Sequence, residues 1–219
     1  MFGQNPPYET VVFLTYNGTA DPGYANWLRS TDNPFFNSRP GIVNYSNWQI
    51  IEAKGASLPF SHFDLVGIEG IEALETVWFD PEMDKFRRDW VSRWGYTSTG
   101  AFFSHKEQIN QYGYLANRTS GQRGVKGEYL RLLGGNLEIE GSDGEKWQVK
   151  EVLRKQWAIG PPTTGEQWRT KAEQNNPLSF GGFALQTCNS IEEWDSSLPS
   201  NFGFAAIATC LAAPDLPDA

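Results

Sequence analysis

His62 and Asp64 stand two residues apart in Phe60-Ser-His-Phe-Asp-Leu-Val-Gly-Ile-Glu69, a segment that reads as a β-strand. Alternate side chains of a strand share a face, so His62, Asp64, Val66 and Ile68 line one side of it. An imidazole beside a carboxylate can take up or release a proton while the carboxylate orients it or supports its charge. The plainer reading is a hydrogen-bonded histidine at a strand end and a solvated aspartate. A third candidate is Asp32, which follows Trp27 and precedes Phe35 and Phe36. Burial against those rings would raise its pKa and fit it for proton transfer. Its plainer role is in Ser30-Thr-Asp-Asn33, a polar turn closing a helix. The catalytic candidates are therefore His62, Asp32 and Asp64. Tyr16 and Tyr45 can offer phenols to a substrate oxygen. Trp27 and Trp48 suit a core first and a pocket wall second. His105, followed by Lys106 and Glu107, reads first as a surface residue and second as a substrate contact.

Other chemistries lack their residues. The chain has two histidines and two cysteines in 219 residues. It contains no HExxH, paired CxxC, GxSxG or phosphate-binding glycine motif. No metal and no tightly bound cofactor is expected. The net charge of −8 offers no basic field for nucleic acid or an anionic membrane. No apolar run approaches the about 20 residues that span a bilayer. Two cysteines make no disulfide framework, and Met1-Phe-Gly-Gln-Asn-Pro-Pro-Tyr8 lacks the pattern of a secretion signal, so a cytoplasmic location is expected.

The candidates need elements to hold them. Thr10–Tyr16 reads as a strand with two apolar faces, covered on both sides. Asp21-Pro22 opens a helix whose Tyr24, Trp27, Leu28 and Thr31 share a face, and Pro34 should end or kink it. Ile42–Ile51 and Phe60–Glu69 read as a hairpin of two strands. Asp80-Pro81 opens a second helix, with Met83, Phe86, Trp90, Val91 and Trp94 as its apolar stripe. Ala101–His105 reads as strand four. The order β-α-β-β-α-β is that of ferredoxin-like modules. Residues 111–147 read as linker and extra strands, with Gly-rich Arg118–Gly127 as a connection. The remainder, 148–219, reads as a degenerate echo of the first module, residues 1–110.

Tyr24-Ala-Asn-Trp-Leu-Arg-Ser-Thr-Asp-Asn-Pro-Phe-Phe-Asn-Ser-Arg-Pro-Gly-Ile-Val-Asn-Tyr45 resembles the helix-one signature of the dimeric α+β barrel superfamily, in its EthD-like branch. Trp27, Pro34, Pro40-Gly41 and Tyr45 match, while the histidine of that signature falls on Asp32. The resemblance covers about residues 8–105. It implies an α+β fold of two ferredoxin-like modules, the second degenerate, packing sheet to sheet as a barrel; two halves in one chain could close it internally as a monomer, but the incomplete second half favours a homodimer. It also implies a pocket between sheet and helices for a small aromatic or polyketide-like substrate. The function expected is a cofactor-independent lyase, dehydratase, isomerase or cyclase, with a cofactor-free monooxygenase as a variant. The missing histidine favours the alternative, a non-catalytic binding protein for a hydrophobic aromatic molecule. A partner-binding module using a sheet edge is a third class.

Overall fold

The computed structural model describes residues 9–15, 22–55, 61–94, 109–120, 129–135, 145–157, 182–188, 190–193 and 202–213. In chain order the elements are β1 (Glu9–Thr15), α1 (Pro22–Trp27), a π-helical turn (Leu28–Asp32), α2 (Asn33–Asn37), β2 (Ile42–Gly55) and β3 (His62–Ile68). There follow α3 (Ile71–Phe79), α4 (Pro81–Trp94), β4 (Ile109–Ser120), β5 (Tyr129–Gly135), β6 (Glu145–Trp157), β7 (Gly182–Cys188) and β8 (Phe202–Ala212). A 3-10 turn at Ile191–Glu193 precedes β8. The fold is α+β.

The eight strands close into one antiparallel barrel in the order β1-β3-β2-β8-β5-β7-β6-β4, with β4 returning to β1. β1 lies between β3 and β4, and so has a hydrogen-bonded neighbour on each edge. Advancing every strand number by four maps this cyclic order onto itself. The halves meet edge to edge, β2 on β8 and β4 on β6, and not as two stacked sheets.

Every residue of β3 is buried, because the strand serves two cores. On its outer face Val66 and Ile68 pack with Tyr45 of β2, Leu115 of β4 and the helical residues Tyr24, Trp27, Leu74, Met83 and Phe86. On the other face Phe63 stacks on Trp48 of β2 at 6.3 Å, and both are fully buried. Leu132, Leu185, Phe204 and Ala206 lie buried on that same inner side by the register of β5 with β7 and β8. A barrel of eight strands has an interior that side chains can fill. The fit is close: the Phe204 ring lies against Gly134, where a β-carbon would collide with it.

The first helical stretch does not end at Pro34. Proline has no N–H to donate to the residue four back, and its ring crowds that carbonyl. The chain takes up the strain one step earlier: the Asn33 N–H reaches back to the Leu28 carbonyl, which makes the π-helical turn. A π turn holds one extra residue, a recurrent device where a helix must re-aim side chains. The helix then resumes through Asn37. Asp32, Asn33 and Phe36 are all buried. Gly41, at φ +78°, turns the chain into β2 where a side chain would strike Ala73.

The described residues add to the expected order of elements. α3 occupies residues 71–79, which carried no expected element. β4 runs over Ile109–Ser120, while the expected strand at Ala101–His105 lies outside the described residues. Most of β4, all of β5 and the start of β6 fall within 111–147, where linker and extra strands were expected, and supply barrel staves. No helix of the described residues is long and apolar enough to cross a membrane.

Candidate functional site

The outer face of β2 and β3 meets the π turn and α2 in a buried polar cluster. Asn47 sits directly opposite Asp64 in the β2–β3 ladder, and Tyr45 sits opposite Val66. Pairing and alternation together put Tyr45, Asn47 and Asp64 on one face, under the helix. Asp32 descends onto them from the π turn.

One amide nitrogen joins the two acids. Asn47 Nδ2 donates to Asp32 Oδ2 at 2.8 Å and to Asp64 Oδ1 at 2.8 Å. The two carboxylate oxygens therefore lie no further apart than twice that bond. The Tyr45 hydroxyl donates to the same Asp32 Oδ2 at 2.7 Å. The amide has only two hydrogens, so its 3.2 Å approach to the Tyr45 oxygen competes with the carboxylate bonds.

Two further asparagines fix which way that amide points. Asn33 Nδ2 donates to Asn47 Oδ1 at 3.0 Å and to the Tyr45 carbonyl at 2.9 Å. With its oxygen held toward α2, Asn47 must present its NH2 to the acids. Asn37 Nδ2 in turn donates to Asn33 Oδ1 at 2.9 Å, and Asn37 Oδ1 accepts the Tyr45 N–H at 2.9 Å. The order Asn37, Asn33, Asn47, carboxylates thus has each donor and acceptor assigned.

The electrostatics are severe. Asn47 is fully buried, while Asp32 and Asp64 keep 5% and 8% of their surface. Phe36 stacks on the Tyr45 ring at 4.5 Å and so helps wall off water. The salt bridges of the described residues lie elsewhere, such as Arg39 with Asp80 and Glu82. Burial pushes the Asp32 carboxyl from its ordinary 3.8 up to about 7, against the opposing hydrogen bonds from Tyr45 and Asn47. Asp64 is raised well above the carboxylate range, by burial first and the Asp32 charge second. Tyr45 is raised by burial and by both acids. Two carboxyls this close titrate as a pair, and burial without a cation favours keeping a proton on it.

Asp32, Asp64 and Tyr45 are thus brought together. His62 is buried on the same face of β3, one step further along, opposite Gln49. Its Nδ1 lies 2.8 Å from Ser61 Oγ, and the ring meets Tyr24 edge-on at 5.0 Å. The Asp64 carboxylate is engaged by Asn47. Trp27 belongs to the helix–sheet core, stacked on Tyr24 and tilted against Phe86. Trp48 takes the core role: adjacent strand residues face opposite ways, so it points into the barrel, away from Tyr45 and Asn47. Tyr16 and His105 lie outside the described residues. Asn33, Asn37 and Asn47 were not among the sequence candidates, though Tyr45 and Asn47 share strand parity and Asn33 and Asn37 are a helical i, i+4 pair. Among the described residues no group of three or more His, Cys, Asp or Glu could hold a metal ion. No protein-family model, no curated protein and no solved structure matches this chain.

Proposed function

We propose that the protein is a cofactor-independent acid/base enzyme, a lyase, dehydratase, isomerase or cyclase, acting on a small aromatic substrate. Asp32 is its proton-carrying group, Asp64 the carboxyl that shares the proton, and Tyr45 the phenol whose hydrogen bond holds the Asp32 carboxyl in place. The observation that carries this reading is the single Asn47 amide bonded at 2.8 Å to two buried carboxyls. Such a pair gives and takes a proton near neutral pH, where a general acid/base works best. The rings of Phe36 against Tyr45 and of Tyr24 against His62 suit an aromatic substrate.

The EthD-like resemblance belongs to the same reading. It is supported by the strand orders β4-β1-β3-β2 and β8-β5-β7-β6, each that of a ferredoxin-like module. Asp32, which stands where the resemblance expects histidine, is also the residue at the centre of the cluster.

A panel of aryl ketones and phenols in D2O, without added metal or cofactor, tests the function by NMR. The expected result is accelerated exchange of a C–H acidified by an adjacent ring or carbonyl. Asp32→Asn should lose about 10²–10⁴-fold of it while staying folded. Panel compounds that bind without any exchange would replace this reading with the non-catalytic binding protein.

A further inference from the structure

The two halves of the barrel repeat one another rung by rung. In β2 and β3, Trp48 pairs with Phe63, Gln49 with His62 and Ser46 with Leu65. In β6 and β7, Trp147 pairs with Phe183, Gln148 with Gly182 and Glu145 with Leu185. The same Trp-Gln dipeptide thus faces the same Phe-x-Leu at the same register.

The seams repeat as well. Across β2 and β8, Trp48 pairs with Cys210 and Ile50 with Ala208, and the register then slips so that Glu52 meets Ile207. Across β6 and β4, Trp147 pairs with Arg118 and Val149 with Ala116, and the same slip brings Glu151 to Leu115. Each seam carries a second slip beside the tryptophan rung, at Asn47 in one and Lys146 in the other. Bulges are discrete one-residue events, so two pairs at matching places mark common construction.

Among the described residues the polar cluster does not repeat. Asn47, Asp64 and His62 correspond to Lys146, Ala184 and Gly182. The 26 residues between β1 and β2 include the π turn and α2, whereas nine separate β5 from β6. Nine residues are too few for a counterpart of the 22–37 helical stretch at 1.5 Å per residue.

We infer that the chain is an internal duplication whose second half is a built-in partner. It supplies the sheet edges that a second copy would supply in a symmetric dimer, and it has given up its own polar cluster. The working unit is a monomer with one closed barrel. This rests on the ladders alone and stands whatever the cluster does. Of the two assemblies the sequence left open, it selects the internal pairing over the favoured homodimer.

Light scattering on the wild-type chain should give one chain mass, 24.6 kDa. The β2–β8 seam gives an independent check, because Gln49 and Thr209 are direct partners across it. Gln49→Cys with Thr209→Cys, in a Cys188→Ala, Cys210→Ala background, should oxidise to a disulfide within one chain. A solution mass of two chains, or a disulfide that links two chains on a non-reducing gel, would overturn the inference.

Discussion

Replacing Asp32 by Asn should make the protein more stable at pH 8 and leave it little changed at pH 4.5. The sign follows from which state holds the proton. Unfolded, Asp32 releases its proton near 3.8; folded, burial holds it to about 7. Below 3.8 both states are protonated and burial costs nothing through this group. Between the two values the folded chain binds the extra proton, so stability falls as pH rises. At about 1.4 kcal/mol per pH unit for one proton, the span accumulates ~4 kcal/mol, an upper bound for a coupled pair. Asp64 acts in the same direction and carries the loss to higher pH. Asn keeps an oxygen to accept from Tyr45 and Asn47 but cannot ionise. It also removes one of the causes that raise Asp64. Against this stands a mispaired amide costing about 1 kcal/mol. Urea unfolding followed by tryptophan fluorescence from pH 4.5 to 8.5 reads the difference. With a slope of about 3 kcal/mol per molar urea, the variant's midpoint should exceed wild type by up to about 1 M at pH 8. Parallel midpoint curves for the two proteins would refute the reasoning.

Asn47→Ala strips both acids of their shared donor and Asn33 of an acceptor; it should cost about 2–3 kcal/mol, and more at pH 8 than at pH 5, by the same urea assay. Trp48→Ala should cost about 3–5 kcal/mol through the cavity it leaves in the barrel interior. Because Trp48 faces away from the cluster, that loss should be equal at every pH, and a pH-dependent loss would contradict its placement.

The sequence held the parts that depend on local spacing. His62, Asp64, Val66 and Ile68 share a face because strands alternate, and they do so in the structure. Asp32 and Tyr45 were separable from their surroundings as acid and phenol among aromatics. The asparagines were not, since an amide declares no role until its partners are known. Asn47 acquires its role from its place opposite Asp64, which is a fact of ladder register. Trp48 was legible as a core residue, but not which core it fills, because which side of β2 is inward depends on closure. α3 went unread although Leu74 and Val77 have helical spacing, because the run is short and carries no proline start. The repeat in the second half rests on two dipeptide-scale matches. Only the slips at Ile50 and Val149 make them conspicuous.

Closure has a kinetic price. β2 finds its outer neighbour in β8, about 150 residues further along the chain. At a synthesis rate of about 5–20 residues per second, the long β2 edge leaves the ribosome roughly 10–30 s before the strand that will cover it. For that interval fourteen residues of strand present unsatisfied backbone groups to any neighbouring nascent chain. Glu52 and Lys54, charged and sited where β8 later docks, are the sort of side chains that discourage premature pairing. The stave order thus makes completion of the barrel wait for β8, and a chain truncated before residue 202 should aggregate where the full chain folds.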